Sequence, residues 1–132
     1  MMSVYKAQST STTNKKWVSE ANNQEIVVSP PKEFGGEANT ASPEHLYALS
    51  LLNCYIATVK VIAEKSNYAL PNLNTRIEVH LDTDKKENPL SKATITLNPT
   101  QHTKKLQHIL KKAKEHCYVH HSVKTKIEIT VE

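Results

Sequence analysis

The sequence predicts a single α+β domain over residues 1–132, with the element order β-β-β-α-β-β-α-β, a largely antiparallel sheet and a buried central helix. Three observations predict this class. Short β-rich segments occupy the N-terminal quarter, a long apolar helical segment follows, and the second half alternates between strand-like and helix-like periodicity. A chain of 132 residues is also long enough to bury one core of ordinary size.

Three short segments predict the first three strands. They are SVYKAQ, KKWVSE and EIVVS, and the ANNQ between the last two is a turn signal that predicts a hairpin. Pro30 and Pro31 end the third strand, because proline donates no backbone hydrogen bond to a β-ladder. Gly35 and Gly36 are the chain's two glycines, and their adjacency indicates a special backbone conformation or a close approach.

A strong helix start lies at Ser42, Pro43 and Glu44. Serine is a preferred N-cap, proline suits the first helical position, and an acid in the first turn interacts favourably with the helix dipole. From Leu46 to Ala63 the segment is apolar almost all round, which predicts a helix buried on most sides. Polar residues interrupt even this run, so we expect no segment of the chain to cross a bilayer.

The second half of the chain predicts two strands, a helix and a final strand. TRIEVHLDTD and SKATITLN alternate between apolar and polar residues, and the KKENP between them predicts a hairpin loop. QHTKKLQHILKKAKEHC predicts an amphipathic helix, and SVKTKIEITVE has the clearest strand alternation. The apolar stripe of this helix consists of Leu106, Leu110, Ala113 and Cys117.

Composition and charge narrow the function classes. The formal net charge is +4, but scattered lysines supply it and no basic stripe contains interleaved aromatics, so we expect no nucleic-acid partner. The first 17 residues contain no apolar signal core, so we expect a folded cytoplasmic protein with no membrane partner. In a reducing compartment, two cysteines are catalytic, redox-sensing, metal-binding or unrelated core residues.

The two cysteines lie on the two apolar helices. Cys54 is about midway along the first helix, and Cys117 ends the apolar stripe of the second. If these apolar faces pack together, the two sulfur atoms could approach each other. A disulfide between them would require their Cα atoms to lie within about 7 Å. Two separate core cysteines are the alternative, and spacing alone leaves both open.

Glu44 is the acid that could assist Cys54. It lies ten residues earlier, which is about 15 Å along a continuous helix. The carboxylate could therefore serve Cys54 only if the helix breaks between them or if a second subunit supplies it. A simpler role for Glu44 is a favourable charge in the first helical turn.

Two stretches resemble the OsmC/Ohr family, the osmotically inducible and organic hydroperoxide resistance proteins. FGG followed by NTASPEHLYALSLLNCYIATV resembles that family's glycine-rich loop, Pro-Glu-x-Leu helix start and cysteine helix. AKEHCYVHHSVKTKIEITVE resembles its C-terminal block, and the likeness covers residues 25–132. The resemblance implies an intertwined homodimer with active sites at the subunit interface, thiol-dependent peroxidase activity and no cofactor.

The resemblance also implies residue roles. Cys54 would attack the distal oxygen of an organic hydroperoxide and become a sulfenic acid, and Cys117 would condense with it to a disulfide that external thiols or dithiols reduce. Glu44 matches the family's active-site glutamate, which holds an arginine against the thiolate. The apolar substrate lining would be Leu51, Tyr55 and Ile56.

This chain departs from the family pattern at the arginine, which the family places before the cysteine helix. Its one arginine is Arg76, in the strand after that helix. Lys32, Lys15 or Lys16 could supply the positive charge, although lysine lacks arginine's rigid fork. A catalytically silent family member that binds a small apolar molecule at the dimer interface is therefore an alternative function.

Two further alternatives do not depend on the family. HCYVHH places His116, Cys117, His120 and His121 together, and sulfur and imidazole ligands at this density could bind zinc or copper. No spacing matches a closed structural site, and His120 and His121 would point to opposite faces if the last strand has begun. The other alternative is a structural domain whose two cysteines only fill the core.

Overall fold

The computed structural model describes residues 1–12 and 15–132, so residues 13 and 14 of the N-terminal segment that we expect to be folded lie outside the described residues. The described chain forms two compact units, Met1–Tyr47 and Ala48–Glu132, and a single domain over 1–132 stays a prediction. The strands are β1 (Ala7–Thr10), β2 (Trp17–Ala21), β3 (Gln24–Val28), β4 (Leu73–His80), β5 (Lys92–Pro99) and β6 (Lys126–Val131). The α-helices are α1 (Pro43–Lys65), α2 (Lys104–His116) and α3 (Tyr118–His121).

The first unit contains an antiparallel sheet in the order β1-β2-β3. The predicted turn between β2 and β3 is confirmed, because Asn22 and Asn23 have φ angles of 50° and 62° between the paired Ala21 and Gln24. Two left-handed residues in a two-residue loop match the twist of the strands that they join. The first strand starts later than predicted, at Ala7, because its partner β2 ends at Ala21 and leaves earlier residues unpaired.

The glycine pair and the prolines have the expected roles in the loop before α1. β3 ends at Val28, just before the prolines. Gly35 has a φ of 93°, and a Cβ on Gly36 would collide with the backbone oxygen of Pro30. The close approach inferred from the sequence is therefore a contact between Gly36 and the Pro30 backbone.

Helix α1 starts where the sequence predicts. The Ser42 hydroxyl accepts a hydrogen bond from the His45 N–H at 3.2 Å, which caps the helix before Pro43. α1 continues unbroken to Lys65, so the alternative in which it breaks after Glu44 is excluded. Its buried residues are Leu51, Leu52, Tyr55, Val59 and Ala63.

In the single chain, α1 is not buried on most sides, contrary to the prediction from sequence. Leu49 and Val61 are 46% and 50% exposed, so one face of the helix is buried and apolar side chains remain open elsewhere. By length and composition, α1 is also the one described helix able to cross a membrane, which corrects the expectation that no segment could. The core helix of a soluble protein meets the same criteria, so this is weak evidence for a membrane span.

The second unit contains a sheet in the order β4-β5-β6, with β4 antiparallel and β6 parallel to β5. The chain returns from β5 to β6 through α2 and α3, and such a crossover produces parallel pairing. Three of the four described strand pairs are antiparallel, as predicted, but they form two sheets rather than one. The core consists of α1 and α2 side chains packed with Ile95 and Leu97 of β5.

The predicted stripe of α2 is buried as expected, with Ile109 added to it. The helix begins at Lys104, because the Thr103 hydroxyl accepts a hydrogen bond from the Leu106 N–H at 3.0 Å. After Cys117 the chain forms α3, which the sequence interpretation missed, and the last strand starts only at Lys126.

Candidate active site

The two cysteine sulfur atoms lie together although 63 residues separate them in sequence. The Sγ atoms of Cys54 and Cys117 are 2.7 Å apart. A disulfide bond is about 2.05 Å long, so a small movement would join them. Spacing alone left two arrangements open, and the structure has the one in which the two apolar helices bring the cysteines together rather than the one with two separate core cysteines.

The two thiols differ in exposure. Cys54 is partly exposed, whereas Cys117 is buried in the bend between α2 and α3. Burial, and then the hydrogen bond to Cys54, raise the pKa of Cys117 to about 11, although the backbone N–H groups of His120 and Val119 act in the opposite direction. Cys117 therefore keeps its proton at neutral pH, and its S–H donates to the Cys54 sulfur.

Cys54 lines a cavity of about 470 Å³ in the second unit. The α1 residues of its wall recur at helical spacing from Cys54, which places them on one face of the helix. The apolar part of the wall consists of Ala57, Val61, Ile62 and Tyr118, with Thr58 beside them. Its basic part consists of Lys65, Lys112 and His116.

The three residues predicted to line the substrate site lie elsewhere in the described chain. Leu51 and Tyr55 are fully buried, and the Tyr55 hydroxyl donates to the Leu110 carbonyl at 3.0 Å. Ile56 lines a separate cavity of about 510 Å³. This lining was what the family resemblance implied, but successive helical residues point about 100° apart, so Tyr55 and Ile56 leave the face of α1 that bears Cys54.

His120 is the residue near the cysteines that the sequence interpretation missed. Its Nε2–H donates to the Leu51 carbonyl at 2.7 Å, and its ring stacks on Tyr55 with centroids 6.2 Å apart and planes at 7°. Burial lowers the pKa of His120, the nearby His121 lowers it further, and the Leu51 carbonyl opposes both. The HCYVHH motif is the sequence signal for His120, but the only role that it suggested for this histidine was the alternative of metal binding.

The histidine cluster does not form a metal site in residues 1–12 and 15–132. No three His, Cys, Asp or Glu side chains converge there in a way that could hold a metal ion. His120 bonds to Leu51, and the His121 Nε2–H donates to the Glu115 carbonyl at 2.7 Å. These bonds direct the two rings to backbone oxygens rather than to a shared ligand.

Lys32, Lys16 and Glu44 lie in the first unit, whereas Arg76 and the cysteine pair lie in the second. Lys32 is exposed in a 3-10 turn, Lys32–Phe34, and Lys16 pairs with Glu37 at 3.5 Å. Glu44 is partly buried, and its Oε1 atom is buried with no hydrogen-bond partner among the described residues. Arg76 pairs with Glu132 at 2.8 Å.

A family model described as OsmC-like protein matches residues 35–132. The chain belongs to the OsmC/Ohr family. The resemblance found in the sequence is thereby confirmed, although no curated protein sequence matches the chain.

Several solved structures of this family share the fold over nearly their whole length. The OsmC-like protein from Mycoplasma pneumoniae is 13% identical with a TM-score of 0.81, and the match covers 100% of this chain and 98% of that one. An organic hydroperoxide resistance protein OsmC from Legionella pneumophila is 18% identical with a TM-score of 0.79, covering 100% and 98%. The organic hydroperoxide resistance protein OhrB of Bacillus subtilis is 13% identical with a TM-score of 0.63, covering 98% and 96%. At these identities the likeness shows the α+β fold.

The buried thiol predicts alkaline loss of stability. The pKa of Cys117 rises from 9.0 to about 11 on folding, so above pH 9 the folded state holds a proton that the unfolded state releases. The resulting stabilisation is complete below pH 9 and is lost as the pH approaches 11. Urea unfolding of the reduced protein at pH 8, 9.5 and 11 should show a steeper decline for the wild type than for Cys117→Ala. Burial raises the pKa of Tyr55 to about 12, so its ionisation lowers the stability of both proteins at high pH and does not distinguish them. Parallel stability curves for the two proteins would contradict the raised pKa of Cys117.

Proposed function

We propose that this protein is a thiol-dependent peroxidase that reduces organic hydroperoxides, with Cys54 as the reacting cysteine and Cys117 as the resolving cysteine. The carrying observation is the 2.7 Å separation of the two sulfur atoms, with one of them facing a cavity. Family membership supports the same chemistry, since two of the structural relatives are named organic hydroperoxide resistance proteins. No cofactor is needed, because the sulfur atoms carry the electrons.

The first step oxidises Cys54. Its thiolate attacks the distal oxygen of the hydroperoxide, an S–O bond forms, and the O–O bond breaks. The alkoxide leaves, takes a proton and becomes an alcohol, and Cys54 becomes a sulfenic acid. The apolar wall formed by Ala57, Val61 and Ile62 favours hydroperoxides with an organic group over hydrogen peroxide.

The second step uses Cys117. Its sulfur attacks the Cys54 sulfenic sulfur, an S–S bond forms, the S–O bond breaks, and the hydroxyl leaves as water with the Cys117 proton. Two external thiols, or one dithiol, then reduce the disulfide and are themselves oxidised to a disulfide. Such reductants are abundant in the cytoplasm, which is the compartment that we propose.

We propose that lysines at the cavity replace the family arginine. Lys65 and Lys112, with His116, are the basic residues that line the cavity with Cys54 in the described chain. Positive charge near the sulfur favours the thiolate over the thiol. These side chains are exposed, so solvent and salt weaken their effect.

We propose further that the protein is a homodimer in which the second subunit completes the surroundings of Glu44. A buried carboxylate oxygen without a hydrogen-bond donor is costly, and Glu44 Oε1 has no donor in the described chain. Leu49 and Val61 on α1 are about half exposed although both are apolar, and contact with a second copy would remove them from water. Because its own chain encloses Oε1, the Glu44 side chain would turn to meet a donor of the second copy, which would also cover Leu49 and Val61.

The central test is hydroperoxide turnover. With dithiothreitol present, the wild type should consume cumene hydroperoxide, and Cys54→Ser should abolish consumption because it removes the nucleophile. Cys117→Ser should accumulate a Cys54 sulfenic acid that dimedone traps, measured by mass spectrometry. If the wild type shows no turnover and its thiols do not react with peroxide, the peroxidase proposal is excluded. That result would favour a catalytically silent protein that binds a small apolar molecule, and the observation that supports this alternative is a cavity lined by no arginine.

The lysine proposal has a matched pair of variants on adjacent α2 positions. Lys112 lines the cavity with Cys54, whereas Lys111 lines a different one. Lys112→Gln should lower the rate of Cys54 oxidation about twofold to fivefold at low salt, as expected for an exposed charge. Lys111→Gln should leave this rate unchanged, and the difference should shrink at high salt. Equal rates for the two variants would exclude Lys112 as the source of positive charge.

The dimer proposal is tested by sedimentation at micromolar concentration. The wild type should sediment as a species of twice the 14.8 kDa chain mass. Leu49→Lys should shift the mass toward the monomer, because it places a charge on an apolar surface. Glu87→Gln serves as the control, because it raises the net charge by the same amount as Leu49→Lys but at an exposed polar position. A wild-type monomer would contradict the proposal.

A further inference from the structure

We propose that His120 is a positioning residue that holds Cys117 against Cys54. The inference rests on the proposed disulfide step for its role in turnover. His120 acts through Cys117 and has no contact with the hydroperoxide in this proposal.

The need for such a residue follows from the location of Cys117. The residue lies after α2 and before α3, with backbone angles φ −81° and ψ 108°. On its N-terminal side, the buried stripe of α2 fixes the chain. On its C-terminal side lies α3, which has only four residues and no fully buried side chain. A helix this short has little stability of its own, so contacts with other elements must hold it.

The side chains of α3 differ in what they can anchor. Tyr118 is 86% exposed, and His121 is exposed and bonds back to Glu115 of α2. His120 instead crosses to α1, where its Nε2–H donates to the Leu51 carbonyl at 2.7 Å. Leu51 lies one turn before Cys54, so this bond joins α3 to the part of α1 that bears the reacting cysteine.

Two further contacts place His120 between the cysteine and α1. Its ring stacks on Tyr55, the neighbour of Cys54, at a centroid distance of 6.2 Å. Its backbone N–H lies close enough to the Cys117 sulfur to form a hydrogen bond with it. One residue thus contacts the sulfur of one cysteine and the two α1 residues that flank the other.

The consequence is a division between the two chemical steps. Oxidation of Cys54 occurs at the cavity, and Cys117 contributes to it only the S–H hydrogen bond to the Cys54 sulfur. Formation of the disulfide requires Cys117 to stay within reach while the Cys54 sulfur gains and loses oxygen. Loss of the Leu51 bond should lower the effective concentration of the Cys117 thiol, and it should therefore slow the disulfide step more than the first step.

Three variants separate this role from general packing. His120→Phe keeps a stacking ring and loses the donor, whereas His120→Gln keeps a donor and loses the ring. His121→Phe removes the neighbouring histidine, whose bond stays between α2 and α3. Thermal unfolding confirms that each variant is folded, and His120→Gln carries the test if His120→Phe does not fold.

The measurement is the equilibrium between the Cys54–Cys117 disulfide and the dithiol in glutathione redox buffers, which needs no peroxidase activity. His120→Phe should shift the equilibrium toward the dithiol about threefold to tenfold, the range expected for one lost hydrogen bond. His120→Gln should recover most of this shift, and His121→Phe should match the wild type. Stopped-flow oxidation by cumene hydroperoxide should show that His120→Phe slows the disulfide step by a larger factor than it slows sulfenic acid formation.

An unshifted equilibrium in His120→Phe would overturn the proposal, as would an equal shift in His121→Phe. A wild type that forms no Cys54–Cys117 disulfide in these buffers would also overturn it. A wild type that forms the disulfide but consumes no hydroperoxide would refute the proposed function alone, and the glutathione equilibrium of the variants would still decide the role of His120.

Discussion

The packing of α1 against α2 is the interaction on which the candidate site depends. Its centre is the Tyr55 hydroxyl, which is buried and donates to the Leu110 carbonyl at 3.0 Å. Burial raises the pKa of Tyr55 to about 12, so the phenol keeps its proton and remains a donor. Tyr55 is adjacent to Cys54, and Leu110 lies two turns before Cys117. The contact that aligns the helices therefore also aligns the sulfur atoms.

The same packing gives the two cysteines different environments. Cys54 lies at the edge of the packed faces and borders a cavity, whereas Cys117 lies inside them with a pKa raised to about 11. A buried thiol that keeps its proton is a poor first nucleophile and a good hydrogen-bond donor. The arrangement favours attack by Cys54 and a later reaction of Cys117, and it follows from burial more than from any particular charge.

Much of the fold could be predicted because its signals are local. The N-cap at Ser42, the Asn22–Asn23 turn and the apolar stripe of α2 each depend on residues within a few positions of one another. The order of the main elements followed from the same local periodicity, and the family resemblance agreed with it. The division into two sheets, the turn of helix at α3 and the parallel pairing of β6 were not predicted, because each depends on partners distant in sequence.

By itself, the sequence determined the family, the two helices that bear cysteines and the residue types available for chemistry. Only the tertiary structure decided which side chains share a space. It placed Lys112 and His116 at the Cys54 cavity and turned Ile56 away from it. It also showed that His120 donates to the Leu51 carbonyl, which the sequence alone did not indicate. The physical reason is that a helix fixes the direction of each side chain, but only its packing against another helix determines what that side chain meets.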